Sequence, residues 1–181
     1  MNNTEGLHRY ISNSIRMLWM QHSEWTRMAF TSIIFKNPDE KEVLQRLLRN
    51  PVDFAYFLSN FVGWQTAFSF GDLLTEHLNL ATALVRATMS NNTEEAEKIN
   101  KQLYENANRI SALLSSAKPC CNYDEWKTML YRHLDLAKKM ASEMINGDYE
   151  ESIRTYDNFE AEAMLMADMM IECLLYCNAI R

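Results

Sequence analysis

Glycine and proline are scarce in this chain: 4 Gly and 3 Pro in 181 residues. Folds rich in strands and loops need those residues at their turns, so such architectures are excluded. Gly6, Gly63, Gly71 and Gly147 are too scattered to form a dinucleotide or P-loop fingerprint, and no Gly-x-Ser-x-Gly elbow offers an acyl-transfer nucleophile. Positive charge is also in short supply. Lys and Arg total 18 against 24 Asp and Glu, a formal net charge of −6 without a basic tract. Nucleic-acid binding by counterion release is therefore not expected, and anionic membranes are disfavoured. No apolar run of about 18 residues suggests a membrane span. The start, Met1-Asn2-Asn3-Thr4-Glu5-Gly6, lacks the positive and apolar segments of a secretory signal. A cytoplasmic location is the resulting expectation.

Cysteine is sparse too. Cys120 and Cys121 are adjacent, and Cys173 and Cys177 lie four apart on a predicted helix. Neither pair has the two-residue gap of common zinc or redox motifs, so free thiols are expected in a reducing compartment.

What is abundant is helical periodicity. Ile15, Leu18, Trp19, His22, Ala29, Phe30 and Ile33 share one face, as do Leu73, Leu74, His77, Leu78, Ala81, Leu84 and Val85. Trp126, Met129, Leu130, His133, Leu134, Ala137, Met140, Ala141 and Met144 form a third stripe. Each has the width of a core-facing helix surface. Turn residues follow each stripe: Asn37-Pro38-Asp39, Asn91-Asn92-Thr93 and Asn146-Gly147-Asp148. Acidic residues come next, where a helix N-terminus favours them. A second amphipathic helix then returns. The sequence predicts an all-α, six-helix up-down bundle in one domain of residues 1–181. Its three related antiparallel hairpins are placed at about 10–62, 71–116 and 124–177, with residues 1–8 flexible. The linkers are expected near Gly63 to Gly71 and Lys118 to Asp124.

The hairpins read as copies of one another. Leu18 to His22, Leu73 to His77 and Met129 to His133 each place two apolar residues, two others and then His; Thr26, Ala81 or Ala137 follows one turn later on the same face. Residues equidistant from a turn stand level in an antiparallel hairpin. This selects Asn50 opposite His22, Asn106 opposite His77 and Asp157 opposite His133. Buried polar groups pair rather than stay alone, at a cost of about 1–3 kcal/mol if they do not. Three His–Asn/Asp pairs pinning hairpin register are thus expected, in a binding or scaffolding protein.

Convergence of the three His faces would give a different outcome: a metal-binding protein or metal-dependent enzyme with a three-His centre for a first-row divalent metal. Asn50 and Asn106 would then fix ring tautomers, and Asp157, Glu160 or Asp168 would offer a carboxylate. The Glu-x-x-His arrangement of di-iron bundles is absent. A third reading is a small-ligand pocket beside Thr26, Ala81 and Ala137, walled by Trp19, Trp25 and Trp126. Met164, Met166, Met169 and Met170 on the last helix suit core filling, or else self-association or a protein partner.

The segments Leu18-Trp19-Met20-Gln21-His22-Ser23-Glu24-Trp25-Thr26-Arg27 and Arg46-Leu47-Leu48-Arg49-Asn50-Pro51, with Leu73 to Leu78, Met129 to Leu134 and Met166 to Met169, resemble a group of small bacterial all-helical proteins of unassigned function. Some of these carry an acetylglutamate kinase label. The resemblance runs from about Leu18 to Met170 and implies the helical fold, without assigning a catalytic residue. The label does not suit these residues. An amino-acid kinase of that type is an α/β protein of roughly 250–300 residues with glycine-rich phosphate loops, and the length, the glycines and the strand alternation are all missing here.

Overall fold

The computed structural model describes residues 3–118 and 120–175. It is all-helical. In chain order the helices are α1 (Asn3–Phe35), α2 (Glu40–Val62), α3 (Trp64–Met89), α4 (Thr93–Ala117), α5 (Tyr123–Asn146) and α6 (Tyr149–Leu175). Each helix packs on the next one in sequence, and α6 returns to pack on α1. Short connections make these neighbours antiparallel. The odd-numbered helices α1, α3 and α5 also touch one another.

The caps follow the turn residues. Asn92 accepts from the backbone N–H of Glu95 at the start of α4, and Asn122 accepts from Asp124 and Glu125 at the start of α5. Asp39 precedes α2 without capping it; its carboxylate takes the Ser32 hydroxyl instead, at 3.0 Å. Gly147 ends α5 in the left-handed conformation (φ +85°), which glycine adopts at no steric cost.

Two expectations about boundaries are corrected. Helix α1 begins at Asn3, well before the predicted hairpin start near 10, so residues 3–8 continue the helix. The linker expected over Gly63 to Gly71 shrinks to Gly63 alone, and Gly71 lies inside α3. Its role is close approach: a Cβ on Gly71 would sit 3.1 Å from both the Pro51 carbonyl oxygen and the Ala55 Cβ of α2. Two glycines in nine residues look like a loop signal, but only the first one turns the chain.

Buried apolar residues form two main clusters along the bundle. One gathers Ile11, Ile15, Trp19, Phe54, Phe70, Leu103, Trp126, Leu134 and Met166 with their neighbours. The other gathers Phe30, Ile33, Val85, Ala137, Met140, Met144 and Phe159. On α1 and α3 the first cluster gives way to the second across the stretch that holds the histidine, between Trp19 and Phe30 and between Leu74 and Val85; on α5 it does so just past His133, between Leu134 and Ala137. Met166 and Met170 are buried and Met164 and Met169 half-buried against the first cluster, so the methionines of α6 mainly fill the core. Among the described residues no helix is long and apolar enough to cross a membrane.

Candidate functional site

His22 on α1, His77 on α3 and His133 on α5 are each at most 3 % exposed. Their apolar stripes carry them inward, and there two of them meet. The Nε2 atoms of His22 and His133 are 3.3 Å apart, with ring centroids at 5.3 Å. The His77 ring lies 6.5 Å from that of His133.

All three rings are held neutral. Burial lowers the His22 pKa to about 3, helped by the charge that His77 would carry and opposed by Asn50. Burial likewise lowers His77, against the Asn106 hydrogen bond and the Glu76 charge. His133 is held well below its usual value by burial first and by the other two histidines next.

The expected polar partners fare differently. His77 Nδ1 bonds Asn106 Oδ1 at 3.0 Å, as the spacing predicts. Asn106 Nδ2 is committed to the Leu73 carbonyl (3.0 Å) and to Glu76 Oε2 (3.1 Å), both acceptors, so its Oδ1 can only accept. His77 therefore donates from Nδ1, and its Nε2 carries the lone pair. Glu76 is in turn held by Arg109, giving a chain from a surface guanidinium to a buried imidazole. Glu76 escaped the sequence reading because only residues level with the rings were sought.

Asn50 is fully buried near the His22 ring and donates to the Leu18 carbonyl at 2.9 Å. It stands close enough to favour the protonated ring, yet its Oδ1 and His22 Nδ1 both lack a formed hydrogen bond. Thr26 Oγ1 and His133 Nδ1 are also buried and unpartnered. Orphaned polar atoms thus gather around His22 and His133, where buried groups ordinarily find partners.

Asp157 does not pair with His133; it is exposed. Phe159 takes the place, stacked on the His133 ring at 4.2 Å. The height rule itself survives, since reflection through Asn146 selects 159. The estimate of 157 was two residues off, and two residues turn a helix by about 200°, to its opposite face. Glu160 and Asp157 instead surround Tyr156, whose pKa is raised by burial first and then by those carboxylates and Glu24. Asp168 is ion-paired with Arg16 at the surface. None of the three supplies the carboxylate expected at the histidines. Among the described residues the one carboxylate whose charge bears on a buried histidine is Glu76.

A buried carboxylate elsewhere in the bundle was also missed. Glu162 is 2 % exposed and pairs with Arg132 at 3.0 Å. Burial raises its pKa against that pairing. The signal was its position one turn beyond Phe159, on the buried face with Ala163 and Met166.

The pocket expected beside the histidines is displaced. Ala81 and Ala137 line a cleft of about 290 Å³ among α3, α4 and α5, with Phe30, Leu103, Leu134 and Asn100. Thr26 and the three tryptophans are not part of it. Trp19 packs edge-on against His22 at 5.5 Å, Trp25 lies under the Arg46 guanidinium at 4.8 Å, and Trp126 is buried in the first apolar cluster. The cleft reaches to one turn from His77 and His133.

The cysteines are not free thiols among the described residues. Cys121, in the α4–α5 connection, is joined to Cys173 near the end of α6. Antiparallel packing brings together residues 52 apart, which spacing rules for local motifs do not detect. Cys177 lies outside the described residues. No family model, curated protein or solved structure matches this chain.

Proposed function

We propose that the protein binds a first-row divalent metal ion between His22, His77 and His133. The observation that carries this reading is the 3.3 Å approach of His22 Nε2 and His133 Nε2. A tetrahedral ion with metal–nitrogen bonds of about 2.0–2.1 Å spaces its donors about 3.3 Å apart, and the ring centres about 5 Å apart. The pair has a ring separation of 5.3 Å. His77, with its ring 6.5 Å from that of His133, stands outside donor spacing and completes the set only by moving inward, with Nε2 already unprotonated. Neutral rings suit a metal, which needs their lone pairs. Asn106 is the outer partner that orients His77, while Asn50 stands beside His22 without a formed hydrogen bond to it. Three imidazoles leave a tetrahedral ion one further position for water or substrate, and the cleft lined by Ala81 and Ala137 gives that position a neighbouring chamber.

The test is metal content and binding. Purified protein is expected to carry, or take up, one equivalent of Zn²⁺, Co²⁺ or Ni²⁺, with a rise in thermal midpoint. Asn106→Ala, which removes no ligand, is expected to weaken affinity about 10–100-fold. Protein that is metal-free and shows neither heat of binding nor a shifted midpoint with any of these ions would refute the proposal.

A second reading, a binding or scaffolding bundle whose polar pairs set hairpin register, is favoured by the His77–Asn106 bond. It predicts the same stability loss on Asn106→Ala with no metal dependence. On either reading we take the three hairpins to be copies with equivalent histidines, related to the small bacterial helical proteins named above, and working in the cytoplasm. The net charge of −6 supports partners other than nucleic acid or membrane; self-association through α6 would have to use outward residues such as Ile153 and Leu165.

A further inference from the structure

Three sulfurs meet at one end of the bundle, where the α4–α5 connection packs against the end of α6. The Sγ atoms of Cys120, Cys121 and Cys173 all lie within 4.8 Å of one another. Cys121 and Cys173 are each 5 % exposed, and Cys120 sits at the surface with its Sγ 3.6 Å from the Cys173 carbonyl oxygen. The pocket around Cys121 and Cys173 is apolar, lined by Leu58, Phe70, Leu114, Trp126 and Met170. None of the three is a free thiol as the chain stands. Cys121 and Cys173 are bonded and so lie closer than the roughly 3.8 Å between sulfurs of a tetrahedral soft-metal site with metal–sulfur bonds of about 2.3 Å; opening that bond leaves three thiolates close enough to spread to this distance.

We infer that, when reduced, Cys120, Cys121 and Cys173 form a thiolate site for a zinc-class cation that clasps the end of α6 to the α4–α5 connection. The oxidised and metal-bound forms are alternatives. Each S–S bond that opens takes two electrons and two protons from a dithiol reductant, which leaves as its own disulfide. The three thiols then lose three protons to solvent as they bind the cation. The clasp is independent of the histidine centre in its donors and in its place.

The experiment uses the full chain, reduced and kept under inert gas, titrated with Co²⁺ and then Zn²⁺. The expected result is a sulfur-to-cobalt charge-transfer absorption that Zn²⁺ abolishes. Cys121→Ser and Cys173→Ser should each weaken Co²⁺ binding at this band at least about tenfold. Nitrogen-only coordination gives no such band, so the two centres succeed or fail separately. Because a serine variant can misfold, wild-type protein is also alkylated natively with iodoacetamide and read by mass spectrometry. Zn²⁺ should slow modification of Cys120, Cys121 and Cys173 at least about tenfold. Absence of the charge-transfer band in fully reduced protein, its persistence in Cys173→Ser, or alkylation indifferent to Zn²⁺ would each overturn the inference.

Discussion

His77 on α3 and His133 on α5 are both buried, and their surroundings differ in kind. His77 is furnished with a polar chain: Asn106, then Glu76, then Arg109. His133 has an aromatic ring stacked on one side, the Nε2 of another histidine at its edge, and an orphaned Nδ1. A hairpin can thus hold a buried imidazole in two ways. One satisfies it locally and fixes its tautomer; the other leaves it dependent on a neighbour from a different hairpin. The second arrangement ties α1 to α5.

Acid strains both arrangements together and should give the largest effect. The folded-state pKa values are lowered, to about 3 for His22, against an ordinary value of 6.5. The unfolded chain therefore binds more protons than the folded one below pH 6.5. The stability held by the neutral rings is fully present above that pH and is lost as pH falls toward the folded values. His22 contributes a slope approaching about 1.4 kcal/mol per pH unit, and His77 and His133 add to it in the same direction. Urea midpoints measured from pH 7 to pH 4 should fall steeply; a flat profile would mean that the rings are protonated in the native state.

Phe159→Ala removes the aromatic side of the His133 environment and should cost about 3–5 kcal/mol, read from chemical denaturation. Asp157→Ala on the same helix should stay within about 0.5 kcal/mol. Equal effects for the two would restore the carboxylate pairing that the structure replaces with a stack. Asn106→Ala breaks the furnished side, leaving a buried N–H donor of His77 unpaired, and is expected to cost about 1–3 kcal/mol.

The bundle and the inward aim of the three histidines were legible from residue spacing because an amphipathic helix writes its core face into its sequence. Asn106 was legible because its hairpin is symmetric about the 91–92 turn. Asp157 was misplaced because a two-residue error in register reverses a helix face, so a height argument tolerates almost no slack. The meeting of His22 and His133 was only one of two outcomes open to the sequence, since it depends on how hairpins pack on each other rather than on any one of them. Cys121 and Cys173, Glu76 and Glu162 belong to the same class. Each gains its meaning from a residue on another element, and no local pattern announces it.

The bare α-carbon of Gly71 has a reach beyond its own contact. It lets α3 lie against the Pro51 carbonyl, and Pro51 directly follows Asn50 in α2. A methyl group there would push the neighbouring backbone away by a few tenths of an ångström and take the Asn50 amide with it. The spacing of two helices is in this way a tuning peg for the polarity felt by an imidazole on a third, adjustable from a position that touches none of the rings.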